Sequence, residues 1–303
     1  MINIVYMGTP DYASSILQTL VNDIEINVVS VYTQPDKPVG RKKVLTAPIT
    51  KTVAIENGIK VFQPLNLRAT ETEAEIKALN PDYIVVAAYG QILPKNILEI
   101  APCINLHASI LPQYRGASPI QQSLLNGDKE TGVTAMLMDV GLDTGDILKI
   151  STIKIPETML VEELFNALTD VAAELTVDIL KNFKNYTPLK QDDACSTHCS
   201  KISKDNGLVV FDDALTLFNK YRAFTPWPGV YLESGLKLKE MSLESTEGEH
   251  KAGEVLDITK KSILIGCEKG SLRLTRLQPP SKKEMDVASY LNGKRLERAD
   301  TLV

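Results

Sequence analysis

Short, continuous apolar runs alternate with helix-forming stretches through the first half of this 303-residue sequence. Such runs are typical of strands buried on both faces, as in a parallel sheet covered by helices. The strand candidates are Ile2–Met7, Ile26–Tyr32, Tyr83–Ala88, Ile104–His107 and Val133–Met138. The helix candidates between them are Tyr12–Asn22, Ile49–Asn57, Glu71–Leu79, Lys95–Ile100 and Pro119–Asn126. This order predicts a doubly wound, mostly parallel, Rossmann-like α/β sheet.

The pattern changes in the last third of the chain. A helical stretch at about Val161–Phe183 is followed by a polar segment at residues 190–205, which is typical of a linker. Beyond it, short apolar runs separated by Gly, Glu and Ser predict a small OB-like β-barrel. Since the length favours two domains, we expect a first domain at residues 1–189, a linker at 190–207 and the barrel domain at 208–303.

Composition narrows the class of protein. The hydrophobic fraction of 44% and the charged fraction of 23% are those of an ordinary globular protein, which excludes disorder, collagen and coiled coils. No apolar run approaches the roughly 18 residues that span a bilayer. The N-terminus begins with a strand-like run rather than a basic region and a cleavage site. We therefore expect a soluble, cytoplasmic protein that does not bind a membrane.

The charge is unevenly distributed along the chain. Residues 209–303 hold 15 Lys and Arg against 14 Asp and Glu, whereas the rest of the chain holds 18 against 24. The C-terminal part is therefore much less acidic than the body, which permits local basic patches. The overall charge of -5 does not exclude a nucleic acid as partner.

The four cysteines are too few and too scattered for a disulfide framework. Cys195, His198 and Cys199 lie close together, but no second Cys/His pair completes a set of four ligands. We predict no metal site.

Asn105 and His107 stand at the end of one predicted strand. Because side chains alternate along a strand, both project from the same face. The carboxyl ends of parallel strands are where open α/β sheets bind ligands. A structural role for His107 and a catalytic role are both compatible with this position.

Two loops follow that strand. One contains Leu111-Pro112 and Tyr114-Arg115-Gly116, and the other is Gly141-Leu142-Asp143-Thr144-Gly145-Asp146. Taken alone, the second loop is also compatible with an ordinary turn.

In order and spacing, Asn105-x-His107, Leu111-Pro112 with Arg115-Gly116, and Leu142–Asp146 resemble the folate-dependent formyltransferase family. The segment Ala88–Pro94 is similar to that family's folate-pocket loop. The resemblance implies 10-formyltetrahydrofolate as the formyl donor. It also implies a pterin site between the 89–93 segment and the 138–143 loop, with a further turn at 109–112. The implied folate contacts are Tyr89, Gly90, Gln91, Ile92, Leu93, Ser109, Ile110, Leu111, Pro112, Met138, Asp139, Val140 and Gly141.

The residue types suit formyl transfer. An amine that attacks the formyl carbon places negative charge on the formyl oxygen, and Asn105 and a cationic His107 could both donate to that oxygen. Asp143 would keep His107 charged and could help to remove a proton from the amine. We therefore predict Asn105, His107 and Asp143 as the catalytic residues.

The acceptor amine is predicted from other residues. The basic segment Thr33–Lys43 is a solvated turn by composition, but it resembles the loop that family members acting on methionyl-tRNA insert toward the acceptor stem. The resemblance implies tRNA contacts from Arg41, Lys42 and Lys43, mainly to phosphates.

The C-terminal part supports the same acceptor. The segment Arg222–Gly229 is similar to the start of that family's C-terminal barrel, which implies a tRNA-binding domain after a formyltransferase catalytic domain. We expect Trp227 to be a packing anchor rather than a base-stacking platform. Lys282, Lys283, Lys294 and Arg295 are further candidate phosphate contacts.

Initiator methionyl-tRNA is therefore the expected acceptor, in translation initiation, and we expect a monomer. Three alternatives remain open: a formyltransferase for an amino sugar or other small amine, a folate-dependent hydrolase, and a nucleic-acid-binding protein with an inactive core. The first would not need the basic segment, and the second would release formate without an amine. Intact Asn105, His107 and Asp143 argue against the third.

Overall fold

The computed structural model describes residues 1–40 and 42–302. The strands are β1 (Ile2–Gly8), β2 (Ile26–Tyr32), β3 (Lys37–Val39), β4 (Val44–Thr46), β5 (Val61–Phe62), β6 (Tyr83–Ala87), β7 (Cys103–His107), β8 (Arg115–Gly116), β9 (Glu130–Leu137), β10 (Ile147–Lys154), β11 (His198–Cys199), β12 (Val230–Tyr231), β13 (Lys237–Ser245), β14 (Val255–Ile258), β15 (Ile263–Gly266), β16 (Ser271–Gln278) and β17 (Met285–Asp286). The helices are α1 (Asp11–Asn22), α2 (Ile49–Glu56), α3 (Thr70–Ala78), α4 (Lys95–Leu98), α5 (Pro119–Leu125), α6 (Val161–Asn182), α7 (Ala214–Phe224) and α8 (Val287–Lys294). None of these helices combines the length and the apolar character needed to cross a membrane.

The chain forms two compact units, and neither is continuous in sequence. The first unit contains Met1–Pro119, Glu130–Lys154 and Leu164–Cys199. The second contains Ile120–Lys129, Ile155–Glu163 and the chain from Ser200 onward. Residues 190–199 of the expected linker are therefore counted with the first unit. The expected boundaries at 189/190 and 207/208 stay a prediction.

The first unit is built on a seven-stranded sheet in the order β10-β9-β7-β6-β1-β2-β5. Strands β1, β2, β5, β6 and β7 are parallel, which confirms the predicted α/β sheet. Their apolar side chains are buried on both sides; Val5, Met7, Ile84 and Val86 belong to one core cluster. That burial explains the continuous apolar runs.

One strand runs against the expected direction. β9 is antiparallel to β7, and β10 is antiparallel to β9. The sheet is therefore mixed at this edge. An apolar run predicts burial but carries no information about strand direction, so the sequence pattern could not distinguish the two cases. β9 therefore ends with Leu137 paired to Ile104, and the Met138 N–H donates to the Cys103 carbonyl, so the β9–β10 turn begins beside the start of β7.

The second unit contains an antiparallel sheet in the order β12-β13-β16-β15-β14, with β17 paired to β16, and the predicted domain of short strands is thereby confirmed. Val255, Ile263, Ile265, Leu272 and Leu274 are fully buried. Helix α7 follows Asp213, whose side chain accepts from the Thr216 N–H at 2.8 Å and caps the helix N-terminus. The sequence pattern did not predict α7 or α8.

Candidate active site

Asn105 and His107 project from the carboxyl-terminal end of β7. His107 is 6% exposed, and Asn105 is half-buried. Leu106, between them, lies in the core, and its carbonyl accepts from the Tyr12 hydroxyl. Asn105 and His107 therefore project from one face of β7, as the alternation predicts. The hydrogen bond from Tyr12 holds the backbone of the strand at Leu106.

Asp143 reaches these two residues from the β9–β10 turn. Asn105 Nδ2 donates to Asp143 Oδ1 at 3.4 Å, and His107 Nδ1 lies 3.7 Å from Asp143 Oδ2. The three residues predicted to be catalytic are thus in one place, although they are 38 positions apart in sequence. Asp143 itself has a φ of 55°, a left-handed conformation that non-glycine residues rarely adopt. Such conformations are concentrated at functional sites.

The second ring nitrogen of His107 has a different partner. Nε2 lies 2.9 Å from the carbonyl oxygen of Tyr114. A carbonyl can only accept, so Nε2 carries a proton and donates it to Tyr114. Nδ1, which faces Asp143, is therefore the ring atom available to a substrate. His107 can donate to a substrate only through Nδ1, and Nδ1 carries a hydrogen when the ring is cationic.

The loop around Gly116 supplies Asp143 with a hydrogen bond. The Gly116 N–H donates to Asp143 Oδ2 at 2.8 Å. Gly116 has a φ of 118°, and a Cβ at this position would lie 2.3 Å from the carbonyl oxygen of Cys199. Only glycine allows this close approach. Gly116 of the sequence motif therefore has a steric reason.

Residues 197–199 hold this loop from the other side. β11 pairs in parallel with β8. The Tyr114 N–H donates to Thr197 Oγ1 at 2.8 Å, and the Ala117 N–H donates to the Cys199 carbonyl at 3.1 Å. The Cys199 thiol is buried against the same loop, 3.4 Å from the Tyr114 carbonyl, and burial raises its pKa.

The segments predicted to bind folate lie around one core cluster. Tyr89 and Leu93 belong to the cluster, and Met138 packs against it. In contrast, Ile92 is 79% exposed and Val140 is 72% exposed. The pocket segments therefore combine an ordered base with large apolar side chains open to solvent.

Several polar groups of these segments form hydrogen bonds with other protein atoms and so order the segments. Gln91 Nε2 donates to the Pro64 carbonyl at 3.1 Å, and Gly90 has a φ of 82°. In the other loop, Asp139 Oδ1 accepts from the Gly141 N–H and from Thr144 Oγ1, at 2.9 and 2.6 Å.

The 109–112 turn is ordered in the same way. The Ser109 hydroxyl donates to the Gln113 carbonyl at 2.6 Å, and the Leu111 N–H donates to Thr134 Oγ1 at 3.1 Å. Ile110 is half-buried, and the Leu111–Pro112 bond is cis. The predicted contact of this turn with folate stays a prediction.

The basic segment forms a short hairpin of β3 and β4 rather than an irregular loop. Lys42 and Lys43 are exposed, whereas Arg41 lies outside the described residues. The hairpin base is anchored by Asp36, which accepts from Gln63 at 2.8 Å and from Lys51 at 2.9 Å. Hydrogen bonds from Gln63 and Lys51 lower the pKa of Asp36. The exposed Lys42 and Lys43 therefore belong to a hairpin whose first strand follows a hydrogen-bonded Asp36.

Trp227 differs from the expectation of a packing anchor. Its side chain is 60% exposed. Phe224, three residues earlier at the end of α7, is 2% exposed and is the aromatic residue buried there. The candidate phosphate contacts are all exposed: Lys282, Lys283, Lys294 and Arg295.

Sequence reasoning missed Gln191. The polar composition of residues 190–205 predicts a linker, yet Gln191 is 5% exposed and its amide contacts the loop that carries Asp143. Composition gives no signal for such a residue, since a buried, hydrogen-bonded glutamine and a solvated one look alike in sequence.

Comparisons with known proteins agree with this arrangement. Two family profiles match, Formyl transferase over residues 2–180 and Formyl transferase, C-terminal domain, over residues 201–295. The curated methionyl-tRNA formyltransferase of Sulfurimonas denitrificans is 61% identical over 299 residues, which cover 99% of each chain.

Two solved structures share the fold at low identity. The N-formyltransferase of Helicobacter canadensis, solved with folinic acid and dTDP-3-aminofucose, has a TM-score of 0.68 at 19% identity, covering 91% of this chain and 99% of that one. HypX from Aquifex aeolicus, solved with tetrahydrofolic acid, has a TM-score of 0.61 at 18% identity, covering 98% of this chain and 50% of that one. Sequence, fold and site lead to one conclusion: this chain belongs to the formyl transferase family.

Proposed function

We propose that this protein transfers the formyl group of 10-formyltetrahydrofolate to the free amino group of methionyl-initiator tRNA. The observation that carries the proposal is the meeting of Asn105, His107 and Asp143 at the carboxyl end of β7. The name of the 61% identical relative supports methionyl-tRNA as the acceptor.

The described residues suit a reduced folate. Ile92 and Val140 present apolar surface to solvent, and Met138 packs with Tyr89 and Leu93 beneath. A flat heteroaromatic ring, apolar on its faces and polar at its edge, matches such a lining. The likeness in fold to a structure solved with tetrahydrofolic acid supports the same ligand class.

The bound donor supplies an electrophilic formyl carbon. Asn105 and a cationic His107, through Nδ1, donate hydrogen bonds to the formyl oxygen, which gains negative charge as the amine attacks. Loss of one such donor typically lowers the rate by about 10²- to 10³-fold. Asn105 has a second amide hydrogen besides the one directed at Asp143, and the 3.7 Å between His107 Nδ1 and Asp143 leaves Nδ1 free for a substrate oxygen.

Asp143 completes the reaction by moving a proton. The amine nitrogen forms a bond to the formyl carbon, and the bond from that carbon to the folate nitrogen breaks. Asp143 accepts the proton lost by the amine, and the Asp143–His107 pair returns a proton to the departing nitrogen. General acid–base help of this kind contributes roughly 10²- to 10⁴-fold.

The direct test is transfer of labelled formyl from 10-formyltetrahydrofolate to methionyl-initiator tRNA. Uncharged tRNA, free methionine and methionyl-elongator tRNA serve as controls. Label on charged initiator tRNA alone supports the proposal. Folate binding without any labelled tRNA would contradict the acceptor while leaving the folate site intact.

Substitutions in the β3–β4 hairpin distinguish tRNA from a small amine as the acceptor. We propose that Arg41, Lys42 and Lys43 contact tRNA phosphates, so Lys42→Glu/Lys43→Glu should raise KM for tRNA and make it less sensitive to salt. The matched control is Lys154→Glu/Lys184→Glu, which makes the same charge change at exposed positions of the same unit. Equal effects of both pairs would contradict a specific hairpin contact.

The fold likeness to the Helicobacter canadensis N-formyltransferase keeps an amino-sugar acceptor as the second candidate. A dTDP-linked amino sugar should accept no formyl group under our proposal.

Methionyl-tRNA as the acceptor also implies that the protein acts in the cytoplasm. We further propose that the enzyme acts as a monomer, which sedimentation at assay concentration would test.

A further inference from the structure

Gln191 lies in the polar stretch after α6, beside the site. Its neighbour Leu189 exchanges two backbone hydrogen bonds of 2.8 Å with Ile147 at the start of β10. This pairing carries the chain past the β9–β10 turn. The Gln191 side chain then points inward and is 5% exposed.

The amide of Gln191 is fully engaged and joins two loops. Nε2 donates to the carbonyl oxygens of Asp143 and Gly145, at 2.9 and 2.7 Å. Oε1 accepts from Nε and Nη2 of Arg115, at 3.1 and 2.8 Å. Both amide hydrogens and the amide oxygen therefore have partners.

The first of these loops contains Asp143 in its left-handed conformation. A non-glycine residue keeps such a backbone only when its surroundings hold it. The loop is also sterically constrained at Gly145, where a Cβ would lie 1.7 Å from the Leu137 carbonyl oxygen. Gln191 binds the carbonyls on both sides of Thr144, so it holds the backbone from which the Asp143 carboxylate projects.

The second loop contains Arg115, and the residues before and after Arg115 contact His107 and Asp143. The Tyr114 carbonyl accepts from His107, and the Gly116 N–H donates to Asp143. Arg115 is 4% exposed, and its guanidinium also donates to Asp193 at 2.8 Å. One buried amide therefore connects the backbone of Asp143 to the loop that orients His107.

We infer that Gln191 is a positioning residue for formyl transfer, because it holds Asp143 at His107 without touching a substrate. The inference rests on the proposed function, and it extends the reacting centre to a third segment of the chain. Two substitutions distinguish the hydrogen bonds that Gln191 donates to the Asp143 loop from those that it accepts from Arg115. Gln191→Leu removes the hydrogen bonds to both loops, whereas Gln191→Glu keeps acceptors for Arg115 but has no hydrogen to donate to Asp143 and Gly145.

The experiment measures kcat and KM for both substrates, together with hydrogen exchange of residues 138–147. Both variants should lower kcat by about 10- to 100-fold, because small displacements of catalytic groups have effects of this size. KM should stay within about twofold, since the substrate contacts are unchanged, and exchange in the 138–147 loop should accelerate.

The matched control is Asn219→Leu. Asn219 is 5% exposed and its amide oxygen accepts from the buried Arg222 at 3.1 Å, but both residues belong to the second unit. It removes a similar buried amide–guanidinium contact and should leave kcat within about twofold. An equal fall in kcat would show a general loss of stability and overturn the inference.

Other outcomes are equally decisive. A folded Gln191→Leu protein with wild-type kcat, or a Gln191→Glu protein with wild-type kcat, would overturn the role of the two donated hydrogen bonds. If Gln191→Leu does not fold, Gln191→Glu decides alone. If the wild type transfers no formyl group to methionyl-tRNA, the proposed function is wrong, and the same comparison is made on hydrolysis of 10-formyltetrahydrofolate.

Discussion

The carbonyl oxygen of Tyr114 holds the imidazole of His107 through Nε2 at 2.9 Å. With that nitrogen engaged, everything His107 does for a substrate depends on Nδ1, and Nδ1 faces Asp143 Oδ2. The charge on Asp143 therefore matters more than its shape. This distinction can be tested by removing the charge alone.

Asp143→Asn keeps the size of the side chain and an oxygen for the Gly116 N–H, but it removes the negative charge opposite His107. We expect kcat to fall by about 10²- to 10⁴-fold, since proton transfer and support of a charged imidazole are both lost. Steady-state formyl transfer at pH 7 is the measurement.

Asp146→Asn is the control, because Asp146 is in the same loop and its backbone carbonyl, which the substitution keeps, accepts from the Leu137 N–H. It should change kcat by a few-fold at most. Wild-type turnover of folded Asp143→Asn would contradict the mechanism.

Gly116→Ala tests the close contact between the Gly116 loop and β11. A Cβ would lie 2.3 Å from the Cys199 carbonyl oxygen in a backbone of φ 118°. We expect the free energy of unfolding to fall by roughly 1–3 kcal/mol or more, and kcat to fall with it, because the Gly116 N–H moves away from Asp143. Urea denaturation and formyl transfer measure the two effects.

Gly293→Ala provides the comparison. Gly293 lies in α8 and has open space where a Cβ would be. There, alanine should stabilise the protein by up to about 1 kcal/mol, as in other exposed helices. A Gly116→Ala protein as stable as this control would contradict a close contact between Gly116 and Cys199.

The four thiols should differ sharply in reactivity. Burial raises the pKa of Cys103 and of Cys267 to about 12, and burial also raises that of Cys199. At pH 8, roughly one Cys103 thiol in ten thousand is then a thiolate, the reactive form. Cys195 is exposed, although the hydrogen bond to Asp192 raises its pKa.

We therefore expect a disulfide reagent to modify one thiol rapidly in the native protein and four in denaturant. Cys195→Ser should abolish the rapid phase. A rapid phase that survives this substitution would mean that one of the buried thiols opens to solvent.

The ion pair between Lys149 on β10 and Asp178 on α6 gives a pH dependence of stability. Hydrogen bonds from Lys149 and Tyr186 lower the pKa of Asp178. A lowered carboxyl pKa adds stability that is fully present above the unfolded-state value and is lost as the pH falls through the folded-state value. The window is therefore below about pH 4.

The side chains are 41% and 33% exposed, so screening limits the pair to about 1 kcal/mol. Asp178→Asn should lower the free energy of unfolding between pH 5 and 7 by about that amount, with the difference shrinking below pH 4. Asp170→Asn, at an exposed position of the same helix, should have little effect at any pH. A stability difference between Asp178→Asn and the wild type that grows below pH 4 would contradict a lowered pKa of Asp178.

The sequence and the structure agree where a local pattern decides the outcome. The apolar runs predicted β1, β2, β6 and β7 because burial on both faces leaves no room for polar alternation. The same pattern placed Asn105 and His107 together, since two residues along a strand always share a face. Asp143 needed more than local pattern, and only the family resemblance predicted that it joins them.

The sequence failed where a distant segment decides the outcome. The direction of β9 depends on the path of the chain between residues 108 and 129, which no periodicity records. Trp227 is exposed and Phe224 is buried, and an apolar composition does not say which of two aromatic residues is inside. Gln191 has the same chemistry in water and in the protein, and only its partners reveal its position.

The pairing of β11 with β8 has a consequence for the order in which the protein is made. When Asn105, His107 and Asp143 have all left the ribosome, the nascent chain still lacks the strand that fixes the loop around Tyr114 and Gly116. That strand ends at Cys199, more than fifty residues later. The candidate site is thus completed late in synthesis, and a truncated chain that contains all three side chains lacks the strand that orders this loop.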